Sequence, residues 1–348
     1  MHCALDLGNV KKYLCSYKLQ FINAGNEVKI VYKKPEKDIT LVRWNSKDDL
    51  SKMINISGYN IMGAYRFPNC GFMHLVRELW FKAKLPNRHW WYNHSIRNYN
   101  GIIIIFDAMV EKKFPEWIKQ QNPNARVIFW YWNKVTANRI SPEAIRNSGC
   151  ELWSYSFVDC RNFDMKLNHS FYIESSYDFL KVYDKDEKLY DLVFIGRDKG
   201  RLKKIKELQE DSILSKLKCY IHITADHFYK KWENKEYKKI ISYQQTLKLQ
   251  IKGKAILELI LTGSSGLTLR TMDALYLGQK LVTDNKYIRF MNFYNPHNIF
   301  IIDDDDPHNI YEFLNTPYEP VPQKIYEEYC LQEWVNRFIK NEPQSVNT

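Results

Sequence analysis

AILELILTGSSGLTLRTMDALYLGQKLVT, residues 255–283, decides how this chain is read. Ala255 to Leu261 is an apolar run short enough for a buried strand. Gly263, Ser264, Ser265 and Gly266 form a turn. Thr268 to Leu277 follows with helical spacing, and Gly278 is placed to close that helix. Lys280 to Thr283 resumes as a strand. Strand, tight turn, helix and strand in this order make a βαβ unit, the building block of a parallel sheet.

Moving outward, the same alternation recurs. Asp191–Gly196 reads as a strand, Lys199–Leu208 as a basic helix, Lys218–Thr224 as a strand and Thr246–Ile251 as a short helix. Asn298–Ile302 is a last strand, and Gln323–Lys340 a final amphipathic helix before a disordered tail. The N-terminal half carries its own series. His2–Asp6, Glu27–Tyr32, Ile39–Trp44, Gly101–Asp107, Arg126–Trp132 and Glu151–Ser156 read as strands. Helices are expected from Asn9 to Ala24, Asn69 to Lys84 and Glu111 to Gln121, with another opened by Ser141 and Pro142. GIIIIFD, residues 101–107, is apolar throughout, as in a strand covered on both faces. The fold class is therefore α/β, with two Rossmann-like doubly wound domains facing across a cleft. The boundaries are 1–175, 176–322 and a C-terminal helix and tail at 323–348.

Length and composition agree. The chain has 348 residues, enough for two such domains. Hydrophobic residues make up 45% and charged residues 26%, which excludes wholesale disorder. The apolar runs are far shorter than a bilayer span, and the first residues do not read as a signal peptide. Seven cysteines without a CxxC pair point to reduced thiols, hence a cytoplasmic protein. No Cys/His spacing suggests a metal site, and no cofactor is expected. Net charge is +11 and uneven: residues 199–254 hold 15 Lys and Arg against 6 Asp and Glu. Such a face attracts phosphates, anionic headgroups or nucleic acid.

Two loops carry candidate chemistry. Ser264, Ser265, Gly266, Leu267 and Thr268 lead into a helix N-terminus, which offers free N–H groups and a positive end to an anion. Arg270 can pair with a phosphate, and Asp273 can accept from ribose hydroxyls. Gly196, Arg197, Lys199, Gly200 and Arg201 form a glycine turn with three cations, suited to a diphosphate. Asp6 and Asp107 end strands of the first domain, so either can act as a general base, with His74 and His94 as weaker candidates. Trp130 to Lys134 reads as core and hinge packing. Asp303–Asp306 reads as a solvated loop. Neither a P-loop nor a GxGxxG follows the first strand, which argues against kinase, ATPase and dehydrogenase functions.

The stretch from Gly266 to Thr283 resembles the donor-site segment of GT-B-fold glycosyltransferases. With YDLVFIGRDKGRLKKI, VIFWYWNKV, ELWSYSFVDC and NFYNPHNIFII, the chain is similar to a bacterial group of lipopolysaccharide and capsular polysaccharide biosynthesis. That resemblance covers about residues 100 to 335. It implies transfer of a sugar from a nucleotide-diphosphate donor, without a metal, to a glycan or lipid-linked glycan acceptor at the cytoplasmic face of the inner membrane. It also implies that Gly196–Arg201 faces the donor pyrophosphate. In that wider fold family two glutamates often bracket the donor segment; Ser265 and Asp273 stand at those places. A nucleotide-sugar epimerase shares the architecture, and a nucleic-acid-binding protein using residues 199–254 is the rival from another class, although no nucleic-acid motif is present.

Overall fold

The computed structural model describes residues 22–24, 27–29, 38–67, 71–177, 180, 187–210, 214–226 and 234–345. Two parallel sheets organise them. The first takes β3 (Ile39–Arg43), β4 (Asn60–Gly63), β5 (Ile102–Phe106), β6 (Arg126–Tyr131), β7 (Glu151–Ser154) and β8 (Lys166–Leu167) in the order β4-β3-β5-β6-β7-β8. The second takes β9 (Tyr190–Arg197), β10 (Cys219–Thr224), β11 (Gly253–Glu258), β12 (Lys280–Thr283) and β13 (Ile299–Ile301) in the order β10-β9-β11-β12-β13. Every neighbouring pair within both sheets is parallel. These are the two doubly wound α/β domains expected from the sequence.

Side-chain alternation explains why both sheets are sandwiched. In β5, Ile103 and Ile105 enter one core cluster while Ile102, Ile104 and Phe106 enter the other. Ile256 of β11 joins the helix-covered cluster of Met272 and Leu275, and Leu257 points to the opposite side with Phe194 and Val282. A strand buried on two faces can be apolar at every position, as GIIIIF is.

Several expectations are corrected. Residues 22–24, at the end of a helix expected from Asn9, are β1 (Ile22–Ala24), paired antiparallel with β2 (Glu27–Lys29). The expected strand His2–Asp6 lies outside the described residues. The helix expected over Gln323–Lys340 is two helices, Gln323–Tyr329 and Leu331–Lys340, because Cys330 is extended and bridges Tyr172. Tyr172 N–H donates to the Tyr329 carbonyl at 3.0 Å, and Leu331 N–H to the Tyr172 carbonyl at 2.9 Å. The C-terminal segment is not a unit of its own. Trp334, Val335 and Phe338 lie in the first domain's core with Ile104, Trp130 and Trp153. The tail expected to be disordered is tied down as far as described, with Gln344 N–H donating to the Leu167 carbonyl at 2.9 Å.

Candidate functional site

In each sheet the chain runs from one central strand to a neighbour on one side and then returns to the other side. That switch falls between β3 and β5 in the first sheet and between β9 and β11 in the second. Open parallel sheets bind ligands outside the strand C-termini at such a point. Contacts between the domains show that the two C-terminal edges face each other. Tyr155 Oη lies 2.7 Å from Ser264 Oγ, and Ser156 Oγ lies 3.1 Å from Ser265 Oγ. Lys134 Nζ donates to the Thr262 carbonyl at 2.9 Å. Residues 134, 155 and 156 follow β6 and β7; residues 262–265 follow β11.

The crevice at β9 and β11 is lined with cations. Lys199 and Gly200 both have positive φ, 45° and 85°, which turns the chain sharply from strand into helix. The Lys199 N–H is held by both carboxylate oxygens of Asp226 at 3.1 and 3.0 Å. Arg201 opens the next helix, and its Nε donates to the Leu259 carbonyl at 2.5 Å. It therefore bridges the two strands of the switch point. Arg270 donates through Nε and Nη2 to the Ile195 carbonyl, at 3.0 and 2.6 Å, and its guanidinium lies 5.0 Å from the Phe194 ring centroid. Gly196 lies beside it, and a Cβ there would displace the Arg270 guanidinium. From the first domain, Arg139 approaches the same place.

The charges are crowded enough to be felt. The Lys199 pKa is lowered by desolvation, and further by the neighbouring cations Arg201, Arg139 and Arg197. That of Arg270 falls to about 10, first through burial and then through Arg201, with Glu258 and Asp273 opposing. Like charges brought together while partly desolvated favour an anion that removes the repulsion.

The segment 264–273 is placed differently from its expected ligand role. Ser264 and Ser265 are buried, with hydroxyls turned to the first domain. Ser265 Oγ also accepts from Val158 N–H at 2.9 Å. Gly266 lies against the Tyr155 ring, which a Cβ would overlap. Leu267 is fully buried in the core. Thr268 caps the Leu269–Leu277 helix by accepting from Arg270 N–H at 3.0 Å. Asp273 is buried and accepts from Tyr177 at 2.9 Å and from Tyr243 at 2.5 Å. Desolvation raises its pKa to about 6, against the lowering effect of those two hydroxyls, Gln250 and Arg270.

Glu258 was not singled out from sequence, although it is the lone charge in AILELIL. It is fully buried at the end of β11. Its Oε1 accepts from Thr268 and Thr271 at 2.6 Å each, and its Oε2 from Thr283 at 2.7 Å. A carboxylate thus already occupies the positive end of the Leu269–Leu277 helix. The positive charge offered to a ligand comes from the arginine and lysine side chains beside it. Arg139, Tyr155 and Ser156 were also missed. The contacts of Tyr155 with Ser264 and of Ser156 with Ser265 exist only once the two domains meet, so local pattern does not show them.

In the first domain Asp6 lies outside the described residues. Asp107, just past β5, is buried. Its Oδ1 accepts from Trp132 N–H at 2.8 Å and Asn133 Nδ2 at 3.2 Å, and its Oδ2 lies 3.4 Å from Arg139. Burial raises its pKa, with Arg139 the largest opposing influence. His74 meets Arg77 at 2.7 Å on the helix Phe72–Lys82, and His94 meets the His89 carbonyl at 2.9 Å. Trp130 is core, stacked with Trp132, while Lys134 reaches the second domain. In the acidic run Asp304 pairs with Lys286, Asp305 lies 3.1 Å from Arg289, and Asp306 caps a turn of 3-10 helix. Among the described residues no group of three His, Cys, Asp or Glu is arranged to hold a metal ion.

No family model matches the chain, and no curated protein matches it. Solved structures share the general arrangement at low identity. An α-glucosyltransferase in complex with UDP and a 13-mer DNA containing a central A:G mismatch is 12% identical, with 86% of this chain and 94% of that chain covered and a TM-score of 0.49. A glycosyltransferase from Rickettsia africae ESF-5 is 10% identical, with 87% and 88% covered and a TM-score of 0.39. A 3-phosphoglycerate dehydrogenase from Entamoeba histolytica with bound NAD+ is 11% identical, with 88% and 96% covered and a TM-score of 0.24. At these values the likenesses assign no family and no activity. The functional reading comes from the site.

Proposed function

We propose that this protein is a glycosyltransferase that moves a sugar from a nucleotide-diphosphate donor to a growing surface glycan, of the lipopolysaccharide or capsule kind. The observation that carries the reading is the gathering of Arg139, Arg197, Lys199, Arg201 and Arg270 where the C-terminal edges of two doubly wound sheets meet. In the reaction the acceptor hydroxyl oxygen bonds to the anomeric carbon as the bond from that carbon to the diphosphate oxygen breaks. The electron pair goes to the diphosphate, and the hydroxyl proton passes to the departing diphosphate or to solvent water. Charge develops on the diphosphate, where fixed cations stabilise it most. In this proposal they supply the neutralisation that a divalent ion provides elsewhere.

The residues divide accordingly. Lys199, Arg197 and the free edge of Arg270 face the diphosphate. Gly196 and Gly200 let the backbone approach it. Ser264, Ser265 and Gly266 hold the domains in register, and Asp273 and Glu258 fix the helix behind the site. Asp107 is proposed to hold Arg139 toward the cleft, in place of the base role expected from sequence. The first domain would bind the acceptor, with the reaction at the cytoplasmic face of the inner membrane. Four cations of the basic segment 199–254 are paired within the chain: Lys204 with Asp284, Lys206 with Glu236, Lys252 with Glu187 and Lys254 with Asp191. That pattern supports a local anion site over a nucleic-acid track.

Calorimetry and thermal shift against nucleoside diphosphates test the reading. Lys199→Ala is expected to weaken diphosphate binding by roughly 10- to 100-fold, the range of a charged hydrogen bond, with no fall in Tm. Unchanged affinity moves the donor site elsewhere. Release of nucleoside diphosphate that needs no acceptor points instead to hydrolysis, and conversion of the donor to its epimer points to epimerisation.

A further inference from the structure

The helix Phe72–Lys82 is turned inside out. Phe72, Leu75 and Leu79 are 76%, 56% and 57% exposed. At 100° per residue they fall within about 60° of arc, so they form one stripe. The inward face carries Arg77, which is buried with its guanidinium 3.8 Å from the Tyr65 ring centroid. Arg77 Nη2 meets His74 at 2.7 Å and Glu78 at 3.3 Å. Trp80 and Phe81 complete that face, against Trp91 and Tyr65. A surface helix of a water-facing protein has the reverse arrangement, with charge outward.

The stripe has cationic surroundings. Arg66, Lys82 and Lys84 are the exposed cations of residues 66–90, whereas Arg77 is buried and Arg88 lies 2.6 Å from Glu111. Lys82 falls beside Leu75 on the helical projection, and Lys84 is exposed just past the helix end. Exposed Leu85 and Trp90 extend the apolar surface, and the Arg66 guanidinium lies 5.8 Å from the Trp90 ring centroid. Lys84 and Leu85 also rim a depression of about 550 Å³ whose lining includes Arg88, His89 and Trp117. The helix follows β4, so its N-terminal end lies toward the C-terminal edge of the sheet, the edge that faces the cleft.

We infer that this helix is a monotopic docking surface for an anionic lipid bilayer, with Phe72, Leu75 and Leu79 entering the acyl boundary and Arg66, Lys82 and Lys84 pairing with headgroups. An apolar stripe with an interfacial tryptophan and lysines at its margin matches the layering of such a surface. The inference does not depend on the transfer reaction. It places the contact on the first domain, away from the basic segment 199–254.

Flotation of the full chain with phosphatidylcholine vesicles, with and without an equal share of phosphatidylglycerol, tests it. The wild type is expected to bind the mixed vesicles and to be released by salt. Changing Phe72, Leu75 and Leu79 together to Ser should lower the partition coefficient by about tenfold or more, with Tm unchanged because these side chains are already in water. Lys82→Glu with Lys84→Glu should lower it by about tenfold. Equal binding by the serine variant, or binding to neither vesicle, overturns the inference. So does a dimer in light scattering that the serine variant converts to a monomer, since a second copy then covers the stripe.

Discussion

Asp273 shows how far a single residue can depart from what its position in the chain suggests. On the sequence it is a helix carboxylate one turn past Arg270, available to a ribose. In the fold it is buried between the hydroxyls of Tyr177 and Tyr243. Its pKa is raised from 3.8 to about 6, chiefly by desolvation. A raised carboxyl pKa means that the folded state binds the proton more tightly than the unfolded chain. Its contribution to stability is then full below about pH 4 and is lost as pH rises through about 6. Across that window it amounts to roughly 3 kcal/mol, at about 1.4 kcal/mol per pH unit. Asp273→Asn keeps the acceptor for both tyrosines and removes the titration. The difference in Tm between the variant and the wild type should therefore grow in the variant's favour from pH 4 to pH 6.5, with nucleotide affinity unchanged. A pH-independent difference would show that Asp273 does not titrate in this range. The position of the carboxylate was legible in the sequence. Its burial was not, because Tyr177 and Tyr243 stand about 96 and 30 residues away.

At the level of elements, the turn Gly263–Gly266 was legible as a break between strand and helix, since glycine and serine between an apolar run and a helical period leave few alternatives. Its role changed once the first domain was in place. The turn is where the two domains touch, and the reason for Gly266 is steric: the Tyr155 ring occupies the space of a side chain. Gly266→Ala should cost roughly 1–3 kcal/mol as the ring is displaced, seen as a lower Tm. Ser265→Ala strands the Val158 N–H and loses the Ser156 contact, and should cost about 1–3 kcal/mol by the same measure. A Tm unaltered in both would show that the interdomain seam contributes nothing to stability. Elements without a strong period escaped the sequence reading. The helix Asp49–Ile56 and β4 (NIMG) are short, and Phe157–Phe163 is a helix of only seven residues. Their structure comes from packing and from the Ser156 and Asp48 caps.

For the whole molecule, the C-terminal helix determines what counts as a domain. Leu331–Lys340 follows the second sheet in the chain yet completes the core of the first. Trp334 packs on Trp130 with centroids 4.8 Å apart and on Phe171 at 4.5 Å. Trp334→Ala should cost roughly 3–5 kcal/mol, the range for a large buried aromatic. Denaturant unfolding followed by fluorescence should show that loss in the first domain, although the substitution lies 14 residues from the chain's end. A transition confined to the second domain would contradict this packing. The chain thus crosses back to the first domain at residues 329–331, where Tyr172 pairs with the backbone around Cys330.

The sequence alone determined two parallel α/β sheets, because largely apolar runs that need cover on both faces alternate with helical periods. It also marked the glycine- and serine-rich loops at the strand ends, with their flanking arginines, which the proposed function makes an anion site. Tertiary structure decided which side chains those loops present. Ser264, Ser265 and Asp273 are held by partners far away in the chain, Glu258 already occupies the helix end, and Arg139 arrives from the other domain. Partner choice over such separations is a matter of three-dimensional packing, and local pattern carries no record of it. The loop 255–283 thus pointed to the strand ends, and the meeting of the two sheets decided which cations gather there.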